Sequence, residues 1–198
     1  MKKIISILSC ILIVLITSAC KPQASTIYLK NLGINQEYVQ KYHNEDDYNV
    51  LRIYEYEVGE DINSLEINFI KLKDNEIESH PFNIILDSNK GIIMVMADEL
   101  ISNKARVKVV GNHQQMLEYN YNTKEEELQT NLSYGSLIKE IKLNKDQRIH
   151  IFYQGSSNNE DGAIAYSDYF DKTNNLEELL ELNPYDQETY LITVMFGE

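Results

Sequence analysis

Two glutamates and two tyrosines alternate in the run Tyr54-Glu55-Tyr56-Glu57. On a β-strand, residues two apart share a face, so Glu55 and Glu57 would present paired carboxylates beside aromatic neighbours. Carboxylates about 5 to 10 Å apart can act as acid and base, or as acid and nucleophile, in glycoside hydrolysis. The same four residues could instead build a binding platform for sugar or peptide, because tyrosine gives large contact area at low entropy cost. A plainer arrangement is also open: glutamates on the solvent face of an edge strand, and tyrosines completing a core with hydroxyls at its rim. Tyrosine recurs two apart in Tyr119/Tyr121 and three apart in Tyr166/Tyr169.

Oxygen-rich loops offer the other candidate chemistry. Asp46 and Asp47 lie in Asn44-Glu45-Asp46-Asp47, and Glu160 and Asp161 in Asn158-Asn159-Glu160-Asp161. A third acidic stretch runs over residues 168–174. Clustered oxygens suit calcium, a hard cation, but none of these loops has the ligand offsets and sixth-position glycine of an EF-hand. Calcium is thus the one cofactor with a sequence basis, and otherwise none is expected. His43, His80, His113 and His150 are scattered, without the short ligand spacings of zinc sites. No G-x-S-x-G nucleophile motif occurs. Gly155-Ser156-Ser157, followed by Asn, Asn, Glu, Asp and Gly, reads as a solvated hairpin loop.

The start of the chain carries a different signal. Lys2 and Lys3 precede an apolar run over residues 4–16 (IISILSCILIVLI), and Thr17-Ser18-Ala19 supplies small residues before Cys20. Charged, apolar, then small is the layout of a secretory signal peptide. From residue 4 to 19 is only 16 residues, short for a span that needs about 20. The junction Ile16-Thr17-Ser18-Ala19-Cys20 resembles the lipobox of bacterial lipoproteins, although Thr17 stands where that family favours Leu, Val or Ile. The resemblance covers residues 1–20 alone. It implies a signal peptide over 1–19, a diacylglyceryl group on the Cys20 sulfur, and an anchor on the extracytoplasmic face of the bacterial cell membrane. Two acyl chains hold a membrane stably where one is marginal. Residues 20–25 would form the lipidated cysteine and tether, and residues 26–198 a single exported domain.

Cysteine and charge narrow the chemistry of that domain. The only cysteines are Cys10 and Cys20, so the exported part has no internal disulfide and no thiolate nucleophile. Its length suffices to bury a core without disulfides. The chain carries 18 Lys+Arg against 31 Asp+Glu, and loss of Lys2 and Lys3 leaves 16 against 31, or −15. Such a surface repels phosphate backbones, which excludes nucleic acid as an expected partner. It equally repels anionic headgroups, leaving the lipid as the membrane attachment. Five tether residues, 21–25, reach at most about 18 Å.

Strand patterns dominate the rest of the chain. Residues 27–29 read as a first strand, and a short helix after Asn35 has Ile34 and Val39 placed for a hydrophobic staple. In residues 49–58 (NVLRIYEYEV), Leu51 and Ile53 fall on one side, with Val50, Tyr54, Tyr56 and Val58 on the other. Leu65, Ile67 and Phe69 alternate with Glu66 and Asn68. Residues 82–86 and 92–96 suggest a hairpin through the loop ending at Gly91. Further strands are expected over 105–110, 116–121, 137–143, 149–153, 163–166 and 190–196. Asn174, with Glu177 at the third helical position, marks a late helix carrying Leu176, Leu179 and Leu180 and stopped by Asn183-Pro184.

Closely spaced short strands with turn signals indicate an all-β, antiparallel β-sandwich with one or two short helices. The alternative is an α+β domain whose curved antiparallel sheet is covered by the late helix. The expected function is a non-enzymatic, membrane-anchored binding or interaction module of the cell envelope, with an envelope protein or wall glycan as partner. Two alternatives stand beside it: a carboxylate-dependent cell-wall glycan hydrolase, and an accessory subunit of an envelope membrane complex.

Overall fold

The computed structural model describes residues 26–42, 49–97, 104–121, 131–137, 140–157, 175–182 and 187–198. Among the described residues eleven strands form two antiparallel sheets, so the sandwich expectation holds. The strands are β1 (Ile27–Gly33), β2 (Asn49–Glu57), β3 (Ser64–Lys73), β4 (Glu76–Ile85), β5 (Lys90–Ala97), β6 (Lys104–Val110), β7 (Gln114–Asn120), β8 (Asn131–Ser136), β9 (Ile141–Leu143), β10 (Arg148–Ser157) and β11 (Gln187–Gly197). One sheet has the order β7-β6-β5-β2-β1-β9, the other β4-β3-β11-β10-β8. Their inner faces enclose one large core, in which Leu65, Ile67 and Phe69 of β3 meet Ile93, Val95 and Val107 of the opposite sheet.

Both short helices cover outer faces. Asn35 caps α1 (Gln36–Tyr42): its Oδ1 accepts from the amides of Glu37 at 3.0 Å and Tyr38 at 3.4 Å. Tyr38, Val39 and Tyr42 pack on Ile53, Ile92, Met94 and Val110. The Lys108 ammonium donates to the Tyr42 carbonyl at 2.5 Å, placing a cation at the helix C-terminus where the dipole favours it. Ile34, by contrast, stays 51% exposed, so the staple position buries little. On the other sheet, α2 (Leu176–Leu182) sets Leu176, Leu179 and Leu180 against Ile70, Leu72, Tyr153 and Leu191. Its cap is Asn175, one residue later than the expected Asn174: Asn175 Oδ1 accepts from the Glu177 amide at 3.0 Å. Glu178, not Glu177, therefore occupies the third helical position.

Several expectations are corrected by long-range pairing. Val50 pairs with Met96 and Arg52 with Val95, which leaves Leu51 as the extra residue of a bulge. The bulge reverses the faces on either side of it. Val50 joins Ile53 under α1, while Leu51 joins Tyr54 and Tyr56 in the main core. Residues 82–86 and 92–96 do not form a hairpin, because β4 pairs with β3 and β5 with β2 and β6. β4 also begins at Glu76, directly after the two-residue turn Asp74-Asn75, whose φ values are 52° and 61°. Pro81 fits this strand because β4 is a sheet edge. Of the expected strand 137–143, residues 141–143 form β9 of one sheet, while Leu137 directly follows β8 of the other and residues 138–139 lie outside the described residues. Gly155-Ser156-Ser157 is not a loop: it lies in β10, paired to β8 and β11. The expected strand at 163–166 and the acidic stretch at 168–174 lie outside the described residues.

The crossover from β4 to β5 also fastens a turn. Asp87 accepts from the amides of Asn112 at 3.0 Å and His113 at 2.9 Å, and its Oδ2 lies 2.7 Å from His113 Nδ1. A Cβ at Gly111 would fall 2.2 Å from Asp87 Oδ1, so glycine is what admits the carboxylate. Partial burial works against ionisation of Asp87. The His113 side chain and the two amides outweigh it and hold the carboxyl below its ordinary value. Because the folded value is depressed, its stabilisation is complete above the unfolded value of about 3.9 and is lost as pH falls through the folded one. Protection of the Asn112 and His113 amides, corrected for intrinsic exchange, is therefore expected to hold at about pH 6 and drop below about pH 4. Equal protection at both pH values would rule out this role for Asp87.

Candidate functional site

β2 divides the Tyr54-Glu55-Tyr56-Glu57 quartet between two environments. Tyr54 and Tyr56 point inward and are buried. The Tyr54 hydroxyl donates to the carbonyl of Ile151, the extra residue of a second bulge, in β10. Burial raises the Tyr54 phenol well above its ordinary value, and burial followed by the Asp87 charge pushes Tyr56 up to about 12. Both hydroxyls thus stay protonated. Tyr56 lies opposite Gly91, where a Cβ would sit 2.3 Å from the Val110 carbonyl oxygen and 2.5 Å from the Tyr56 hydroxyl. The ring occupies space that only glycine leaves open.

Glu55 and Glu57 face outward, and three further strands complete their surroundings. Tyr28 of β1 stands opposite Glu57, and Lys30 opposite Glu55. Lys90 of β5 stands opposite Glu57 on its other side and forms an ion pair with it at 2.8 Å. Ile141 of β9 pairs with Leu29, which brings Glu140 level with Lys30. Lys142 lies opposite Tyr28, with its ammonium 5.2 Å from the ring centroid. Together Tyr28, Lys30, Glu55, Tyr56, Glu57, Lys90 and Glu140 line an open groove of about 480 Å³, within the size range of small-ligand sites.

The groove is suited to recognition. Its charges alternate across the strands, so a bound molecule meets both signs within one interstrand step of about 4.8 Å. Glu55 and Glu57 share a face as the sequence indicates, about 7 Å apart along the strand. Glu57 is 54% exposed and held by Lys90, whereas the general acid of a glycosidase is typically desolvated. The aromatic contribution comes from Tyr28, which local pattern did not single out. Only the register of β1 on β2 places it there.

Elsewhere, Lys71, Lys73, Asp74, Glu76 and Glu78 surround a small hollow of about 60 Å³ at one end of the sandwich. Among the described residues, no group of three or more His, Cys, Asp or Glu side chains could hold a metal ion. Asp46, Asp47, Glu160 and Asp161, the candidate calcium ligands, lie outside those residues, as does Cys20. Among the described residues the exposed large apolar side chains are Ile34 between β1 and α1, Ile85 on β4 and Met116 on β7. No helix among them is long and apolar enough to cross a membrane. Searches of protein-family models, curated proteins and solved structures found no match to this chain.

Proposed function

We propose that this chain is a surface lipoprotein of a bacterial envelope, tethered through Cys20, whose sandwich presents a non-enzymatic binding groove. The observation that carries this reading is the groove itself. Lys30, Glu55 and Glu140 bring charge of both signs beside Tyr28, on a sheet held rigid by the core beneath it. Among the described residues no ion pair occupies these three side chains. The tether places the groove near the membrane, because eight residues from Cys20 to Tyr28 span at most about 29 Å.

Two variants test the anchor and the groove separately. Cys20→Ala should release the domain from membranes or leave an unprocessed precursor, and unchanged processing with full membrane retention would refute lipidation. Crosslinked affinity capture from the native cells should recover an envelope protein or wall glycan with the wild-type chain. Glu55→Gln combined with Lys30→Met should lower that recovery about tenfold, and equal recovery would remove the groove as the binding face. Cleavage of captured wall glycan, abolished by Glu55→Gln or Glu57→Gln, would move the assignment to hydrolysis.

A further inference from the structure

The arrangement of charge in the groove narrows its ligand, on the premise that the groove is the binding face. The ion pair between Glu57 and Lys90 leaves that glutamate and lysine largely compensated. Apart from Lys142, whose ammonium lies over the Tyr28 ring, the remaining charges form one row: Glu140 immediately before β9, Lys30 on β1 and Glu55 on β2. The row reads negative, positive, negative, in steps of about 4.8 Å. Tyr28 flanks Lys30 two residues earlier on the same face of β1.

The complement of such a row is positive, negative, positive. We propose that the groove binds a free basic amino acid that bears two ammonium groups and one carboxylate. The carboxylate meets Lys30, the two ammonium groups meet Glu55 and Glu140, and the methylene stem lies against the Tyr28 ring. Aromatic rings hold aliphatic stems and nearby cations in this way. The row itself holds two carboxylates to one ammonium, with the Lys142 ammonium beside it over the Tyr28 ring. The excess of acidic residues over the whole chain adds a field that favours the approach of cations. A neutral sugar would leave all three charges without a counterpart, and a monoamine would leave one carboxylate without one.

Calorimetric titration of the full chain tests this with four probes: L-lysine, norleucine, L-lysine amide and the trisaccharide of N-acetylglucosamine. Lysine should bind at least about tenfold more tightly than norleucine, which lacks the side-chain ammonium, and than the amide, which lacks the carboxylate. Glu55→Gln and Glu140→Gln should each weaken lysine binding about tenfold, and Lys30→Met should erase the preference over the amide. These three residues are exposed, so an unchanged circular dichroism spectrum is expected of each variant. Equal affinity for lysine and norleucine, or no binding of lysine, overturns the proposal. Trisaccharide binding that the same substitutions weaken overturns the ligand class and keeps the groove as a site. Lysine binding that none of the substitutions alters overturns the groove as well.

Discussion

Glu188→Ala is expected to destabilise the domain by about 3–5 kcal/mol, the cost of leaving buried charge without its partner. Glu188 is 2% exposed, between the sheets at the end where β3 turns into β4. The Tyr190 hydroxyl donates to its Oε2 at 2.6 Å. The Lys73 ammonium pairs with its Oε1, and that of Lys71 lies 3.8 Å away. Lys73 is partly exposed and can turn to water when Glu188 is lost. Lys71, with a side chain only 10% exposed, has far less access to water. The loss should appear as a lower urea midpoint at unchanged m-value. Lys71→Met in the Glu188→Leu background should recover much of it, since an apolar pair of similar volume often replaces a buried ion pair without loss. A loss below about 1 kcal/mol for Glu188→Ala would mean that water already screens the cluster.

Phe69→Ala should cost a similar amount, about 3–5 kcal/mol, through lost burial and the cavity left behind. Phe69 is fully buried on β3, and its ring meets Phe82 edge-on at 5.7 Å and Tyr119 in a stack at 5.8 Å. Tyr119 in turn stacks on His80 at 4.2 Å and meets Tyr121 edge-on at 4.7 Å, and Tyr121 meets Tyr190 at 4.9 Å. The row runs from β4 across β7 and back to β11, joining the two sheets on the side where their edge strands β4 and β7 share no backbone ladder. Removing Phe69 takes the support from beneath Tyr119. The chain has 14 tyrosines and no tryptophan, so tyrosine fluorescence and near-ultraviolet dichroism include the signal of Tyr119, Tyr121 and Tyr190 without tryptophan overlap. Equilibrium unfolding should show the loss, accompanied by a changed near-ultraviolet signal in the native state. A loss under about 1.5 kcal/mol would show that the neighbouring rings collapse into the space.

Much of this architecture is legible in local pattern, because local physics decides it. Alternation of Leu65, Ile67 and Phe69 with polar residues sets the inner face of β3, since strand side chains alternate with period two. Asn35 caps α1 as its side chain predicts, and Asp74-Asn75 makes the hairpin turn that residues tolerant of positive φ favour. The stripe Leu176, Leu179, Leu180 identifies the covering face of α2. The lack of thiols beyond residue 20 excludes disulfides within residues 21–198 whatever their fold.

The rest depended on which strands became neighbours. The bulge at Leu51 reverses the faces of β2, and no residue type announces it, because a bulge is a property of two paired strands. The segments 82–86 and 92–96 have good strand patterns and a plausible turn between them. β3 nevertheless offers β4 a ten-residue register, while β5 is taken by β2 and β6. The polar run Gly155-Ser156-Ser157 enters a strand because β8 and β11 satisfy its backbone from both sides. The groove shows the same division. The sequence alone establishes that Glu55 and Glu57 share a face, since that follows from the pleat. That Tyr28, Lys30, Lys90 and Glu140 join them, and that Tyr54 and Tyr56 are withdrawn into the core, was decided by tertiary register and by the side of the sheet on which the second sheet packs.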